Sequence, residues 1–588
     1  MRLSNLSIGL KSLTPVLLLC ASCASQPKPV PEFAASKPQE PVSVAPKRPA
    51  WDDYVNQLIE AYLRLHPSYA VGQGRHEYDG QLPDWSAQGL ENLLTWLESE
   101  RDKLAQFDDA DLSETQRFQR EYVRASLESE AFGLRELRLP AKSPMFYLGT
   151  GFDPSTYVTT PYAPIEKRAQ AFIAYLEKVP AAVAQMRANI ELPLPKTFVD
   201  YSIVSFKGMS EYYKNDALAA FAEIQDPALQ SRLKTAVEPA AKAMLELSTW
   251  FGSQTSFAEK GYVLGAERFR AMLAHSERVT TPLAELEAIG RADLQRNADA
   301  LKEACARYAP KLSIPKCVDK LNADKPKGGP VEGARGQLAE LKSFVEKHDI
   351  VSIPGTEEAK VAEAPAYQRQ NFAYIQIPGP YETNLPSVYY IAPPDPRWTK
   401  AEQAAYVPGK ADLLFTSVHE VWPGHFLQFL HSNRANWRFG QLFVGYAFAE
   451  GWAHYTEELM VEQGIAEGAP ELHIGQLSNA LLRNVRFLCA IGLHTQDLSV
   501  AQCEQMFKDK AYQDAGNARQ QASRGTYDPG YLNYTMGKLM IRKLRQDWQA
   551  ENPGKTLREF HDAFLAHGGP PIPLLRARLL KNPGNALF

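Results

Sequence analysis

Cysteine, net charge and long apolar runs are all scarce in this chain of 588 residues. Once the N-terminal segment is removed, four cysteines remain, and none of them forms a Cys-x-x-Cys pair, which argues against a cysteine-ligated metal. The formal net charge is −4 and no basic stripe stands out, so nucleic acid is not an expected partner. The apolar run Val16–Cys20 is too short to cross a bilayer as a helix.

The N-terminus has the pattern of an export signal. Arg2 and Lys11 precede the apolar run, and the small residues Ala21 and Ser22 precede Cys23. This order predicts a lipoprotein signal peptide over residues 1–23, with the lipid on Cys23. Ala24 favours the periplasmic face of the outer membrane, by analogy with enterobacterial lipoproteins, and a soluble periplasmic or secreted form is the alternative. Residues 24–50 are rich in Pro, Ala and Ser, which predicts a disordered tether.

Residues 51–588 are expected to form one mostly α-helical catalytic domain. A chain of this length exceeds what a single core usually covers, so we expect two lobes around a deep cleft. Aromatic and β-branched residues at 372–377 and 387–391 predict a small β-hairpin near the active site. The four remaining cysteines fall into two local pairs, which suggests the bridges Cys305–Cys317 and Cys489–Cys503, and buried free thiols are the alternative.

Two short runs carry the chemistry: His-Glu-Val-Trp-Pro-Gly-His at 419–425 and Glu-Gly-Trp-Ala-His-Tyr at 450–455. A catalytic zinc ion takes three protein ligands, usually imidazoles and a carboxylate, and keeps one position open. His419, His425 and Glu450 supply that set. Glu420 directly follows the first histidine, where zinc peptidases carry the general base.

The spacing of the two histidines departs from the usual His-Glu-x-x-His. Residues four apart share a helix face, whereas residues six apart lie on nearly opposite sides of a straight helix. The intervening Pro423 and Gly424 resolve the conflict, because proline breaks the hydrogen-bond ladder and glycine tolerates unusual dihedral angles. The sequence therefore predicts a broken or bulged helix at Pro423.

His454 leaves the ligand set open, because it lies four residues after Glu450 and could replace His425 as a ligand. If it does not, His454 and Glu457 are expected to lie behind the ligands and orient them through hydrogen bonds.

With these runs, the chain resembles a bacterial family known as domain of unknown function 885. That family is in turn distantly similar to helical zinc peptidases of the thimet-oligopeptidase, angiotensin-converting-enzyme and Taq-carboxypeptidase type. The resemblance implies a two-lobed zincin-like fold, one zinc ion and a glutamate ligand some two dozen residues after the second histidine. Glu450 stands at that place.

The resemblance also extends to the segment around residues 490–540. His494 matches a Gly-x-His position that could stabilise an oxyanion, although Ala490 stands where family members often carry aspartate. Related peptidases use a tyrosine for the same task, and we expect Tyr534 first and Tyr527 second. Substrate-binding candidates are Arg524 and Lys538, as anchors for a carboxylate, and Tyr531, where many members carry glutamine.

The expected activity is zinc-dependent hydrolysis of short peptides in the periplasm, of the oligopeptidase or carboxypeptidase kind, with Glu420 as the proton carrier. One alternative is a zinc hydrolase of another amide, such as a cell-wall or siderophore-type conjugate. The other is a catalytically silent peptide-binding lipoprotein, against which the presence of Glu420 argues, since a binder needs no general base. The sequence leaves oligomeric state, cleavage position and substrate length open.

Overall fold

The structure, a computed structural model, describes residues 50–365, 368–369, 372–382, 384–394, 396 and 398–588. The predicted signal peptide (residues 1–23), its Cys23 and residues 24–49 of the predicted tether lie outside the described residues.

The described chain is mostly helical, as the sequence predicts. The first half contains α1 (Trp51–Leu65), α2 (Pro67–Gly72), α3 (Ala87–Leu104), α4 (Glu114–Arg135), α5 (Leu139–Lys142), α6 (Pro144–Thr150), α7 (Ser155–Thr159), α8 (Ile165–Asn189), α9 (Lys196–Tyr212), α10 (Leu218–Ala220), α11 (Pro227–Gly252), α12 (Gly265–Ser276), α13 (Leu283–Tyr308), α14 (Ile314–Ala323) and α15 (Pro330–Lys347). The second half contains α16 (Lys400–Tyr406), α17 (Lys410–Glu420), α18 (His425–Ser432), α19 (Arg438–Leu442), α20 (Tyr446–Glu462), α21 (Pro470–Thr495), α22 (Val500–Ala511), α23 (Ala515–Tyr527), α24 (Asn533–Glu551), α25 (Leu557–Leu565) and α26 (Ile572–Leu579).

Local sequence signals explain where several helices begin. Ser113 caps α4, because its side chain accepts a hydrogen bond from the Gln116 backbone amide while the Ser113 backbone amide donates to the Gln116 side-chain oxygen. The same reciprocal cap starts α22 at Ser499 and Gln502. None of the helices in the described part of the chain has the length and apolarity that crossing a bilayer requires.

A small sheet interrupts the helices between α15 and α16. Its strands are β1 (Ala359–Glu363), β2 (Ala373–Gln376) and β3 (Ser387–Ile391), in the order β1-β3-β2. β2 and β3 pair antiparallel, with Ile375 opposite Tyr389, which confirms the predicted pairing of these two segments. β1 pairs parallel to β3 and was not predicted, so the hairpin is part of a three-stranded sheet.

Buried hydrophobic residues form two large clusters. One draws on residues 71–251, chiefly α8, α9 and α11, and the other on α1, α3, α4 and most of the helices from α12 onward. The second cluster surrounds α17, α18, α20 and α21, which carry the predicted metal site. Both predicted disulfides, Cys305–Cys317 and Cys489–Cys503, are present.

Candidate metal centre

The predicted break at Pro423 is confirmed, and its geometry depends on Gly424. Helix α17 ends at Glu420 and α18 begins at His425. The Gly424 amide donates to the Val418 carbonyl over 3.0 Å, so the backbone folds tightly back on α17. A Cβ atom at Gly424 would lie 1.8 Å from the His419 carbonyl oxygen, a distance no side chain can accept. The break thereby brings the His425 ring to 4.7 Å from the His419 ring, between centroids.

Three side chains converge at this break. Each of His419, His425 and Glu450 offers one ligand atom, and these atoms lie within 4.8 Å of one another. A single carboxylate oxygen, Glu450 Oε2, is 3.2 Å from His419 Nε2 and 3.4 Å from His425 Nε2. Glu450 comes from α20, which Trp452 ties to the break by donating from Nε1 to the Pro423 carbonyl over 2.8 Å.

This set fits a zinc ion. All three side chains are buried, yet both ring nitrogens of His425 and both carboxylate oxygens of Glu450 lack a well-formed hydrogen bond within the described residues. Buried polar atoms left in this condition are costly unless something else satisfies them. Two imidazoles and one carboxylate are also the donor set of zinc sites in hydrolases such as thermolysin.

Glu457 orients the first histidine. His419 Nδ1 donates to Glu457 Oε1 over 2.7 Å, which turns Nε2 toward Glu450. The guanidinium of Arg483 donates to both carboxylate oxygens of Glu457, at 2.9 and 3.1 Å. A carboxylate behind a histidine in this way fixes the ring tautomer and raises its strength as a ligand.

His454 lies behind the cluster rather than in it. Its Nδ1 is 3.4 Å from Glu457 Oε2, so it shares that carboxylate with His419 and Arg483. Burial, together with the charge of Lys538, lowers the pKa of His454 to about 4, so its ring is neutral. Among the described residues, the structure groups His425, and not His454, with His419 and Glu450.

Burial and nearby positive charges shift the pKa values of the carboxylates in the site in opposite directions. Burial raises the pKa of Glu420 above its ordinary value, with a smaller opposing effect from His419. Burial acts the same way on Glu450, but the charges of His425 and His419 outweigh it and hold its pKa well below the ordinary range. Arg483 does the same for Glu457.

A small cavity of about 60 Å³ opens beside the cluster. Its walls come from β2, α17, α21 and α24, and the residues are Phe372, Ala373, Thr416, His419, Glu420, Asn479, Leu482, Arg483, Arg486 and Tyr534. Glu420 is buried and its Oε2 has no hydrogen-bond partner within the described residues. The ring of Tyr534 lies nearly parallel to that of His419, with 6.2 Å between centroids. Arg524 forms a hydrogen bond with the Tyr534 side chain.

The model of the family described as "Bacterial protein of unknown function (DUF885)" matches residues 67–579, nearly all of the described chain. The chain belongs to this family.

Two solved structures share the fold of this DUF885 protein. One is a "putative lipoprotein of unknown function from Shewanella oneidensis", with a TM-score of 0.74 and 22% identity, covering 91% of this chain and 100% of that one. The other is a "putative lipoprotein from Colwellia psychrerythraea", with a TM-score of 0.72 and 17% identity, covering 90% and 96%. No curated protein matches the chain in sequence. The predicted membership of the DUF885 family is thus confirmed. None of these matches is described as a zinc peptidase, so the more distant similarity to those enzymes stays a prediction.

Several site residues were predicted outside the two runs at 419–425 and 450–455. Of these, Tyr534 is the one that lines the cavity in this DUF885 protein. Tyr527 packs instead against Tyr201 and Phe198, with ring centroids 5.1 and 6.1 Å away. Tyr531 is fully buried, and its hydroxyl lies 3.9 Å from Cys503 Sγ. Neither Tyr527 nor Tyr531 is among the residues that line the cavity.

His494 and Lys538 have structural partners that the sequence analysis did not foresee. The two ring nitrogens of His494 lie 3.0 Å from the Tyr262 carbonyl and 2.8 Å from the Gly525 carbonyl, so neither is turned to the cavity. The Lys538 ammonium is buried and pairs with Asp293 at 2.8 Å and Glu458 at 3.2 Å. The expectation that Lys538 anchors a substrate is therefore wrong, because its charge is already neutralised inside the protein.

Arg524 also has partners inside the protein. It forms an ion pair with Asp528 at 2.7 Å and donates a hydrogen bond to the Tyr446 hydroxyl over 2.9 Å. The sequence analysis assigned no role to Arg483 and Arg486, which both line the cavity. They stand three residues apart on α21 and therefore on one helix face, and this spacing is the signal that could have found them.

Proposed function

We propose that this protein hydrolyses peptide bonds in short peptides with one zinc ion held by His419, His425 and Glu450. The observation that carries the proposal is the convergence of these three buried side chains beside Glu420. Zinc in such a set acidifies water and polarises a carbonyl, which is the chemistry that amide hydrolysis requires.

Glu420 is the general base and acid in this proposal. It adjoins His419 in sequence, lines the cavity, and has a carboxylate oxygen without a partner among the described residues. A carboxylate so placed can take a proton from the attacking water and return it to the leaving amine. A protein that only bound peptides would have no use for a buried, unsatisfied carboxylate at this place.

Tyr534 is the proposed donor to the oxyanion. Its ring stacks on that of His419, and Arg524 fixes it through a hydrogen bond. A phenol held in a preorganised position can stabilise the negative charge that develops on the reacting carbonyl.

The substrate path is proposed to run along β2. This strand lies at one edge of the sheet, and Ala373 at its start lines the cavity with His419 and Glu420. An extended peptide can add to such an edge by main-chain hydrogen bonds. The proposal includes a zincin-like, two-lobed body whose central cleft admits short peptides and excludes folded proteins.

The location proposed is the periplasmic face of the outer membrane, with Cys23 as the lipid-carrying residue. The lipoprotein pattern of residues 1–23 supports it, as do the descriptions of the two similar structures as lipoproteins.

The test is zinc content and peptide turnover of the chain from Ala24 onward, in the wild type and three variants. We expect about one zinc per chain, lost in His425→Ala and retained in His454→Ala. Glu420→Gln should retain zinc and lose turnover by about a hundredfold or more. Full turnover in Glu420→Gln would remove this residue from the mechanism, and turnover of other amides but not of peptides would refute the proposed substrate class.

A further inference from the structure

Arg486 is a buried cation that has no acidic partner in the part of the chain that the structure describes. Its exposed fraction is 5%, and the partner of its Nε is the amide oxygen of Gln521, at 2.8 Å. Within the described residues it forms no ion pair. The two arginines beside it differ in this respect, since Arg483 pairs with Glu457 and Arg524 with Asp528.

An unpaired guanidinium in this position is unfavourable for the folded protein. Burial lowers the pKa of Arg486 to about 10, and the nearby charge of Arg524 adds to the effect. The side chain is still charged at neutral pH, and a buried charge normally has a paired counter-ion. An anion that arrives from outside the protein would supply the missing counter-ion.

The position of Arg486 identifies where that anion would bind. Its guanidinium carbon lies 4.9 Å from the centre of the Tyr534 ring, and the His419 ring lies 6.2 Å from the same centre. Arg486 lines the same cavity as Glu420, which contributes the one carboxylate among the lining residues. The cation therefore adjoins the proposed oxyanion donor and shares a cavity with the group proposed to carry out the chemistry.

We propose that Arg486 binds the C-terminal carboxylate of the substrate, so that the protein acts as a carboxypeptidase removing the last one to three residues. This inference rests on the proposed peptidase function. Arginine suits a carboxylate because its planar fork can donate two parallel hydrogen bonds.

The distances limit how much peptide lies beyond the cleaved bond. Laid end to end, the two separations place Arg486 at most about 11 Å from the His419 ring. An extended chain spans about 3.3–3.6 Å per residue, so no more than about three residues fit between the reacting carbonyl and the carboxylate. An enzyme that cleaved far from the C-terminus would gain nothing from a cation at this distance.

Binding can be measured separately from turnover with two peptides that differ only at the C-terminus, one a free acid and one an amide. Both are titrated by calorimetry into the zinc-loaded Glu420→Gln protein, which should bind without cleaving. We expect the acid to bind at least tenfold more tightly than the amide. Arg486→Gln in the same background should abolish that ratio, while Arg519→Gln, the same change at an exposed arginine of α23, should leave it intact.

A stability measurement separates a binding role from a structural one. If Arg486 is kept for an external anion, Arg486→Met should melt at the same temperature as the wild type or higher in the absence of peptide, because a buried unpaired charge is removed. A structural arginine would lower the melting temperature instead.

Three results would overturn the inference in different ways. Equal affinity for acid and amide in the wild-type binding site, with either peptide hydrolysed by the active protein, refutes the carboxylate subsite and leaves the peptidase function standing. Absence of both binding and hydrolysis for every peptide refutes the two together. An acid preference that survives Arg486→Gln refutes the assignment to this residue.

Discussion

At the scale of single residues, Glu457 links the candidate metal centre to the residues behind it. It accepts from His419 and is itself held by both sides of the Arg483 guanidinium. Replacing it with glutamine keeps the size but removes the charge that orients His419. We expect Glu457→Gln to weaken zinc affinity about 10- to 100-fold, measured by competition with a chelator of known affinity.

Glu458 offers a matched control for this change. It is the next residue on α20, is also buried, and pairs with Arg296 and Lys538 rather than with the cluster. Glu458→Gln should destabilise the fold by a few kcal/mol, since it leaves the buried Lys538 ammonium short of a partner, yet leave zinc affinity unchanged. A similar loss of zinc affinity in both variants would show that Glu457 acts through general stability alone.

At the scale of secondary-structure elements, α20 and α24 cross at two glycines. A Cβ on Gly451 would lie 2.5 Å from Gly537 Cα, so the two backbones are in direct contact. Glu450 precedes one glycine, and Tyr534 stands one turn before the other. We expect Gly451→Ala to lower the free energy of unfolding by about 1–3 kcal/mol through overpacking and to weaken zinc binding by displacing Glu450. Urea denaturation and zinc titration measure the two effects.

Gly336 provides the contrast, because it lies inside α15 with open space where a Cβ would be. Gly336→Ala should stabilise the protein by about 0.5–1 kcal/mol and leave zinc binding unchanged. If Gly451→Ala behaved like Gly336→Ala, the crossing would not be the close contact described.

The sequence predicted this site best where its signals are local. Pro423 and Gly424 explain the odd histidine spacing within a single turn, and the structure confirms the break there. The strand β1 was missed because its parallel partner β3 lies beyond the intervening β2, so no turn between neighbours marks the pairing. Arg486 was left without a role because what distinguishes it is the lack of an acidic partner among the described residues, which only the fold reveals.

At the scale of the whole molecule, long-range contacts account for the sequence-based errors. Lys538 was predicted to anchor a substrate carboxylate. Its partner Asp293 is 245 residues away in the chain, so the sequence does not reveal that the charge is already paired. His494 was predicted as a candidate oxyanion donor. The Tyr262 carbonyl that it contacts is 232 residues away, so the sequence does not reveal this contact. The disulfides, by contrast, join cysteines only 12 and 14 residues apart, and their spacing was enough to predict them.

Glu277 links three helices that are far apart in the sequence and lie around the candidate metal centre. It follows the end of α12, accepts from the Ala447 amide at the start of α20, and accepts from the Asn533 side chain at the start of α24, each over 3.2 Å. Burial raises the pKa of Glu277 to about 8, against a smaller opposing effect of the Ala447 amide. The carboxyl is therefore protonated in the folded protein at pH values where the unfolded chain has lost the proton.

Because the pKa of Glu277 is raised in the folded state, its contribution to the free energy of unfolding is complete below about pH 4.5. This contribution declines as the pH rises toward 8. We expect the wild type to lose a few kcal/mol across this window that Glu277→Gln does not lose, because glutamine stays neutral and keeps an acceptor for the Ala447 amide. Urea denaturation of both proteins at pH 5, 7 and 9, with a chelator present to remove metal binding from the comparison, measures the difference. Contributions such as that of His76, whose pKa is raised to about 9, are common to both proteins and cancel. Parallel stability profiles for the two proteins would mean that Glu277 is ionised in the fold and that the start of α20 is held by a charged carboxylate.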